Sequence, residues 1–257
     1  MVLAARGISH AHRGCRARAF RLALGGVTMV RSRINGVLGL VTALLVMVGA
    51  TFVFVVAPIE VEMREIQKVF YFHVGAAWSM FVAFTVTAAY GIVYLIRRNP
   101  RADAIAGASA SVGWVYAAIV LLTGMLWARS AWNTWWNWEP RLTSMLVLWL
   151  MYAGYLLFRS TTRGDARRTY SSVFGIVAFV MVPIVYYSIR IWGSVLHPAT
   201  KTKWNLDNRM YYGMLLGTLA MSAAYVLLTR LRADVDIAEQ EVDALRQEQM
   251  FGEDAEG

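Results

Sequence analysis

Cysteine and charge are the scarcest features of this sequence, and each scarcity excludes something. The single cysteine, Cys15, leaves no partner for an internal disulfide or a redox cysteine pair. No nucleotide-binding G-x-x-x-x-G-K-[ST] motif occurs, so we do not expect this chain to hydrolyse ATP itself. Charged residues make up only 16% of the 257 residues, whereas hydrophobic residues make up 58%. Ordinary soluble domains carry about 25% charged residues, so a large water-soluble domain is not expected.

The apolar residues are grouped in blocks long enough to cross a bilayer, which takes about 20 apolar residues. Six spans are predicted, at about 34–56, 74–96, 108–128, 142–158, 170–191 and 210–229. Pro183 lies inside the fifth span and predicts a kink there. We therefore predict an all-α polytopic membrane protein, a bundle of six transmembrane helices with a tryptophan-rich loop on its outer face.

The lysines and arginines predict the orientation of these spans. One side of the predicted bundle carries 17 of them and the other side carries 8. Because cytoplasmic loops keep an excess of Lys and Arg, both termini are predicted in the cytoplasm. His73, His197 and the tryptophan-rich loop are then predicted on the outer side. Lipid orientation also explains the net charge of +9 better than nucleic-acid binding does.

Three regions follow from this pattern. They are a basic cytoplasmic N-terminal extension at 1–33, a six-span membrane domain at 34–230, and an acidic cytoplasmic tail at 231–257. The first region has seven arginines and no acidic residue. An organelle transit peptide, or a true start at Met29, are the alternatives for that region. The tail carries a weak apolar stripe at Val235, Ala238, Val242 and Leu245.

A tryptophan-rich stretch, residues 127–144, separates the third and fourth spans. It contains five of the ten tryptophans, followed by a carboxylate, a proline and an arginine: Trp127, Trp132, Trp135, Trp136, Trp138, Glu139, Pro140 and Arg141. Tryptophan favours the headgroup level, so an interfacial aromatic belt is one interpretation. A belt needs only one or two tryptophans per helix end. The density of this stretch favours a platform that receives a large flat ligand by stacking and apolar burial.

Two histidines accompany this platform. His73 and His197 lie at span ends on the same predicted face, one before the stretch and one after it. An aromatic platform with two imidazoles fits a bis-His haem pocket. Zinc fits less well, because no third ligand with suitable spacing is visible. A cytochrome b bundle would place its ligating histidines inside the spans.

Several cations and one acid surround the same stretch. The outer-side cations near it or near His197 are Arg129, Arg141, Arg190, Lys201 and Lys203. Arginine binds a carboxylate bidentately, and Arg141 is the best candidate because it lies inside the stretch. Glu139 either pairs with Arg141 or accepts a hydrogen bond from an indole N–H. Solvated or headgroup-bound cations are the simpler alternative for the others.

Three stretches of this sequence resemble motifs of known proteins. Trp-Trp-Asn-Trp-Glu-Pro-Arg-Leu-Thr-Ser at 135–144 resembles the WWD signature of the haem-handling proteins of cytochrome c biogenesis. Gln-Lys-Val-Phe-Tyr-Phe-His-Val-Gly-Ala-Ala-Trp at 67–78 and Tyr-Ser-Ile-Arg-Ile-Trp-Gly-Ser-Val-Leu-His-Pro at 187–198 agree with it. Length and six spans point to the haem exporter protein C (CcmC) branch, over about residues 34–230. Three departures are visible: Glu139 for the usual Asp, Gly75 for the usual Pro and Lys68 for the usual Arg.

The resemblance implies a function. His73 and His197 would be the axial ligands of a haem b, and the tryptophan loop would hold the haem edge at the outer face of a bacterial inner membrane. The protein would present haem to the chaperone CcmE, together with the ABC transporter subunits CcmA and CcmB and the small membrane subunit CcmD. A haem-delivery platform is favoured over an enzyme. The alternatives are an electron-transfer subunit with a permanent bis-His haem, and a transporter that moves haem through its own bundle.

Overall fold

The computed structural model describes residues 32–61, 64–194 and 207–254, with side chains described as far as residue 242. The chain divides into two compact units, residues 1–41 and 42–257. The described part of the first unit is the start of one helix. The helices, in chain order, are α1 (Ser32–Val56), α2 (Gln67–Arg97), α3 (Pro100–Trp132), α4 (Pro140–Thr161), α5 (Gly164–Phe179), α6 (Met181–Trp192) and α7 (Asn208–Asp254).

Six helical segments are long and apolar enough to cross a membrane. Five are α1, α2, α3, α4 and the first 35 residues of α7, and the sixth is α5 with α6, Gly164–Trp192. No strand occurs within the described ranges. The predicted class, an all-α protein with six spans, is confirmed.

The fifth span is interrupted as its proline predicts. The helix breaks at Val180, whose N–H donates to Val177 O at 3.2 Å in a tightened turn. Pro183 follows three residues later, near the start of α6. A proline ring clashes with the carbonyl four residues before it and has no N–H to donate, so the break falls just upstream of the proline.

Most helices are longer than the apolar blocks that predicted them. α2 begins at Gln67 and α3 begins at Pro100, seven or eight residues before the predicted spans. Local capping explains the start of α3, because Asn99 Oδ1 accepts the Arg101 N–H at 3.0 Å and proline takes the first helical position. Hydropathy detects only the segment inside lipid, whereas caps and buried partners extend each helix beyond it.

Helix α2 packs against α3, α5 and α7, and small residues make this packing possible. Ala76 and Ala83 of α2 and Ala110 and Ala117 of α3 are fully buried in the same core. Small side chains let helix backbones approach closely, which drives helix association in lipid. Large apolar side chains such as Leu157 are instead exposed on the outer surface of the bundle, as contact with lipid tails permits.

The crossing of α2 and α7 requires glycine on both helices. A Cβ atom at Gly75 would lie 2.8 Å from the Gly217 carbonyl oxygen, and a Cβ at Gly217 would lie 2.9 Å from the Tyr71 oxygen. Neither side could add a side chain without moving backbone. This contact gives a physical reason for the glycine that follows His-Val in this chain, where the resembling family usually has proline.

The alternation of the spans gives the bundle two ends. At the first, which we call the tryptophan-loop end, α1, α3 and α6 finish while α2, α4 and α7 begin. Helix α1 closes there in a π-turn, with the Ala57 N–H donating to Phe52 O at 2.8 Å. Helix α7 begins there after Asp207, and hydrogen bonds from the Arg209 backbone and side chain hold the pKa of that carboxyl below its usual value.

The opposite end, which we call the basic end, contains a buried ion pair that the sequence did not predict. Asp103 of α3 is fully buried and accepts two hydrogen bonds from the Arg159 guanidinium of α4, at 2.6 and 3.0 Å. Arg167 of α5 lies 3.7 Å from the second oxygen of the same carboxylate. Three helices are therefore fixed to one another by one acidic side chain.

Helix α7 does not stop where its apolar block ends. The sixth span was predicted to finish near residue 229, before an acidic tail, but the helix continues as far as Asp254. Arg168 of α5 donates to Gln240 Oε1 at 3.0 Å, which holds this continuation against the basic end.

Candidate ligand site at the tryptophan-loop end

His73 lies on the second turn of α2 and faces α3. Its Nδ1 atom is 2.8 Å from Thr123 Oγ1, and its ring also approaches Gly124, where a Cβ would lie 3.4 Å from Cε1. The Thr123 hydroxyl donates its only proton to the Ile119 carbonyl at 2.6 Å. With that proton engaged, Thr123 accepts from His73 in the tautomer whose ring proton is on Nδ1. In the neutral imidazole the lone pair is then on Nε2, the arrangement typical of a metal-ligating histidine.

The tryptophan-rich stretch is mostly helical, and the loop itself is short. Trp127 and Trp132 lie on the last turns of α3, and Arg141 lies on the first turn of α4. Only residues 133–139 form the connection, which we call the tryptophan loop. It begins at Asn133, whose left-handed backbone (φ 56°) ends α3. It ends at Pro140, whose fixed φ suits the first position of α4.

The tryptophans of this stretch form two perpendicular pairs. The Trp127 and Trp132 rings lie 4.8 Å apart at 85°, and the Trp136 and Trp138 rings lie 5.5 Å apart at 80°. Edge-to-face packing of this kind is a favoured aromatic geometry. The two pairs stabilise the stretch as an ordered aromatic surface.

Part of this aromatic surface faces outward. Trp135 is 53% exposed and Trp138 is 73% exposed, although both are large apolar rings. The Arg129 guanidinium lies 6.0 Å from the centre of the Trp135 ring and donates to Asn133 O at 2.9 Å. It also donates to the Asn133 side chain. Exposed tryptophans held on a braced loop provide a surface for a flat apolar ligand.

Two hydrogen bonds connect the stretch to the end of α6. Glu139 is almost fully buried, and its Oε2 accepts from Ser194 Oγ at 2.7 Å. Arg141 donates from Nη2 to Tyr186 O at 3.4 Å. Ser194 lies just after α6 and three residues before His197, so the stretch is held next to the segment that leads to the second histidine.

The structure describes most of the predicted site residues and shows at which end of the bundle they lie. His73, the five tryptophans, Glu139 and Arg141 all lie at the tryptophan-loop end. His197, Lys201 and Lys203 fall outside the described residues. The sequence did not single out Thr123 or Ser194, because threonine and serine are common in spans and only the fold places these two hydroxyls against a histidine and a glutamate.

Two further features bear on a ligand. The indole N–H groups of Trp127 and Trp136 are buried and have no acceptor among the described residues. Buried donors without partners are uncommon in folded proteins. In the part of the chain that the structure describes, no group of three or more His, Cys, Asp or Glu residues could hold a metal ion.

Fold and site together define a polytopic helical membrane protein with a tryptophan platform and an oriented histidine at one end. Comparison with known proteins agrees with this class. The family model described as "Heme exporter protein C" (CcmC) matches residues 24–248 of this chain. Because that match covers most of the chain, the chain belongs to the heme exporter protein C family.

Individual relatives carry the same description or a related one. The "Heme exporter protein C" of Rhodobacter capsulatus is 29% identical over 211 residues, which is 80% of this chain and 87% of that protein. The "Heme exporter protein C" of Escherichia coli K12 is 30% identical over 200 residues, which is 74% of this chain and 80% of that protein. A "Putative cytochrome c biosynthesis ccmC-like mitochondrial protein" of Marchantia polymorpha is 26% identical over 174 residues, 68% of this chain and 73% of that protein.

Proposed function

We propose that this protein binds haem b at its tryptophan-loop end and presents it to the haem chaperone CcmE during the biogenesis of c-type cytochromes. In this proposal it acts with the ABC transporter subunits CcmA and CcmB and with the small membrane subunit CcmD. His73 and His197 are the axial ligands, and the tryptophan loop supports the face and edge of the porphyrin. The family membership supports haem as the ligand.

The orientation of the His73 ring carries this proposal. In the tautomer in which Nδ1–H donates to Thr123, the lone pair of the neutral ring lies on Nε2, the atom that would ligate the iron. Haem iron commonly takes imidazole as an axial ligand, and a hydrogen bond from the other ring nitrogen raises its basicity.

The exposed tryptophans support presentation over permanent storage. Trp135 and Trp138 expose more than half of their surface, so a porphyrin resting on them would keep one side accessible to a second protein. An electron-transfer subunit that retains its haem would instead enclose it between helices. The contrast favours a site that is loaded and unloaded.

Charge at this end supports a ligand with carboxylates. Haem carries two propionates, and Arg129 and Arg141 both lie on the tryptophan-rich stretch. Arg129 is exposed, and its guanidinium already borders the Trp135 ring. Arg141 is only half-buried. Arginine binds carboxylates bidentately, so either guanidinium is a candidate partner for a propionate.

The proposed location is a bacterial inner membrane. The distribution of Lys and Arg supports an orientation with both termini in the cytoplasm and the loop outside. A cysteine at Asn137, an exposed residue of the tryptophan loop, tests this orientation. In a Cys15→Ser background, Asn137→Cys should react with a membrane-impermeant thiol reagent in intact spheroplasts. In the unchanged chain, Cys15 should react only after lysis. The reverse pattern would invert the orientation.

The decisive test of the function is spectroscopic. The protein is purified from haem-replete cells as the unchanged chain, His73→Ala, His197→Ala and His12→Ala. We expect a low-spin bis-His spectrum in the unchanged chain and in His12→Ala, whose histidine lies in the N-terminal extension. Each of the other two variants should lose that spectrum or most of its haem. An unchanged spectrum in both would exclude the assignment of the ligands.

A further inference from the structure

Helix α7 projects beyond the membrane at the basic end. Its span segment Asn208–Val242 has 35 residues, which at about 1.5 Å each is roughly 52 Å long. The hydrocarbon core is only about 30 Å thick. The apolar block ends at Thr229, and charged residues recur from Arg230 onward. The helix past that point therefore lies outside the hydrocarbon.

One face of this projecting helix is used by the bundle itself. Ala233 and Ile237 are buried, at 6% and 9% exposure, and Gln240 accepts a hydrogen bond from Arg168 of α5. These three residues recur at intervals of four and three, so they share one side of the helix. That side is fixed against the basic end.

The opposite side carries an uncovered apolar seam. It consists of residues spaced by four, three and four positions: Leu231, Val235, Ala238 and Val242. All four are exposed, Val235 and Val242 each at 46%. Strict alternation of three and four is the a/d pattern of a coiled coil, with valine at a and leucine or alanine at d. Ala233 and Gln240 then occupy f, the position facing away from the seam.

The flanks of the seam are acidic. Glu239 occupies an e position and Glu241 a g position, one on each side, and both are exposed. The basic flank residue Arg232 is already engaged, because its guanidinium lies 2.9 Å from Asp236 of the same helix. Charges at e and g select the partner of a coiled-coil seam. An acidic flank selects a helix with lysine or arginine at the facing positions.

We propose that this seam of α7 binds an amphipathic helix of another protein, with apolar residues at its a and d positions and basic residues at its e and g positions. The seam is then a docking surface at the basic end, separate from the ligand site at the opposite end of the bundle. Binding there would couple this protein to a partner on the side predicted to be cytoplasmic.

A second copy of this chain and a lipid surface fit the seam less well. Two copies in one membrane project α7 in the same direction, so they would pair in parallel. Among the side chains that the structure describes, parallel pairing places Asp234 at g opposite Glu239 at e of the other copy, a like-charge contact that destabilises the pair. An anionic leaflet attracts basic segments, so it repels these acidic flanks.

Peptide binding to the full chain tests the seam. The protein is placed in phosphatidylcholine nanodiscs and titrated with fluorescent 21-residue helical peptides. Both peptides carry valine at a and leucine at d, and they have lysine or glutamate at e and g. We expect the lysine peptide to bind at least tenfold more tightly than the glutamate peptide, and more weakly in high salt. Empty nanodiscs give the lipid background. Equal binding of the two peptides would overturn the proposal.

Matched variants separate the seam from general charge. Glu239→Lys with Glu241→Lys should abolish the preference for the lysine peptide. Val235→Ser with Val242→Ser should weaken binding of that peptide at least tenfold. Glu65→Lys, an exposed change at the opposite end, should change neither result. Binding that survives both seam variants would show that the peptide binds elsewhere and would contradict the proposal.

Photo-crosslinking in native membranes tests the partner. A benzophenone amino acid is placed at Val235 on the seam and, as control, at Ala233 on the buried face. We expect a product from Val235 alone whose cross-linked peptide is a heptad helix with basic flanks. The product should disappear with Glu239→Lys and Glu241→Lys. A product made only of this chain, a cross-linked acidic peptide, or equal yield from both positions would overturn the proposal.

Discussion

The two ends of this bundle handle polar chemistry in different ways. At the basic end a fully buried carboxylate, Asp103, is neutralised by Arg159 inside the protein. At the tryptophan-loop end the polar groups orient side chains. The Thr123 hydroxyl is hydrogen-bonded to Nδ1 of His73, and the Ser194 hydroxyl donates to the carboxylate of Glu139. Large aromatic rings there remain exposed. One end is closed by its own residues, whereas the other is ordered and left open.

This difference separates what holds the bundle together from what binds a ligand. A buried ion pair fixes helices because its separation would leave a charge in a medium of low dielectric. An oriented histidine and exposed tryptophans add less to the stability of the fold, so they are free to serve binding. Variants at the two ends should therefore fail in different ways.

The largest effect is expected at the basic end. Asp103→Asn should lower the free energy of unfolding by about 3–5 kcal/mol, because Arg159 keeps a buried charge without its partner. Asp165→Asn is the control, since that carboxylate is 85% exposed, and it should cost below about 1 kcal/mol. Unfolding in mixed micelles, followed by circular dichroism, measures both. Similar losses in the two variants would refute the structural role of the pair.

The next effect is expected beside His73. Thr123→Val keeps the shape of the side chain but removes the acceptor of Nδ1–H. Loss of such a supporting hydrogen bond usually costs about 10–100-fold in metal affinity. Thr123→Ser keeps the hydroxyl and should retain most haem. Haem titration of the purified apoprotein measures the change, and equal affinities for both variants would show that Thr123 has no part in orienting the ligand.

A smaller effect on haem affinity is expected from the platform. Trp135→Ala with Trp136→Ala removes two aromatic contacts, each worth about 0.5–1.5 kcal/mol beyond its area, which is about tenfold in affinity at most for each contact. A bis-His spectrum should persist while haem-loaded chaperone, normalised to this protein, falls sharply. Trp78→Ala, which removes an exposed tryptophan outside the loop, serves as control. Normal loading of the chaperone with haem in the double variant would contradict the platform and would indicate that the loop tryptophans only anchor the protein at the membrane interface.

The smallest effect is expected where the stretch meets the end of α6. Ser194→Ala removes the 2.7 Å hydrogen bond to Glu139. A single hydrogen bond contributes about 1 kcal/mol, so haem affinity should fall about fivefold. Ser160→Ala, at the basic end, should leave the affinity unchanged. The same loss from Ser160→Ala would mean that Ser194 acts on general stability and not on the site.

Much of the fold could be predicted because bilayer crossing imposes strong rules on sequence. The apolar blocks identified six spans, and Pro183 identified the break that the structure places at Val180. Helix ends were placed poorly, by seven or eight residues at α2 and α3. Their extra turns depend on capping and on contacts with other helices, which hydropathy does not record.

In the candidate site, too, some residues could be predicted from the sequence and others could not. Tryptophan density and histidine position predicted His73, Glu139 and Arg141 as site residues, because rare residue types cluster visibly along the chain. Their partners were not identifiable. Thr123 lies 50 positions from His73 and Ser194 lies 55 positions from Glu139, so nothing in the local sequence marks either hydroxyl.

The sequence alone determined the class, the number of spans and the resemblance to a haem-handling family, since lipid selects long apolar blocks and the motifs are contiguous. The tertiary structure alone decided three other features. The close packing of α2 against α7 leaves no room for a side chain at position 75. The burial of Asp103 makes its charge dependent on Arg159. The bundle covers one face of the projecting part of α7 and leaves its seam exposed. Each depends on atoms that are distant in the chain and close in space, and only folding brings them together.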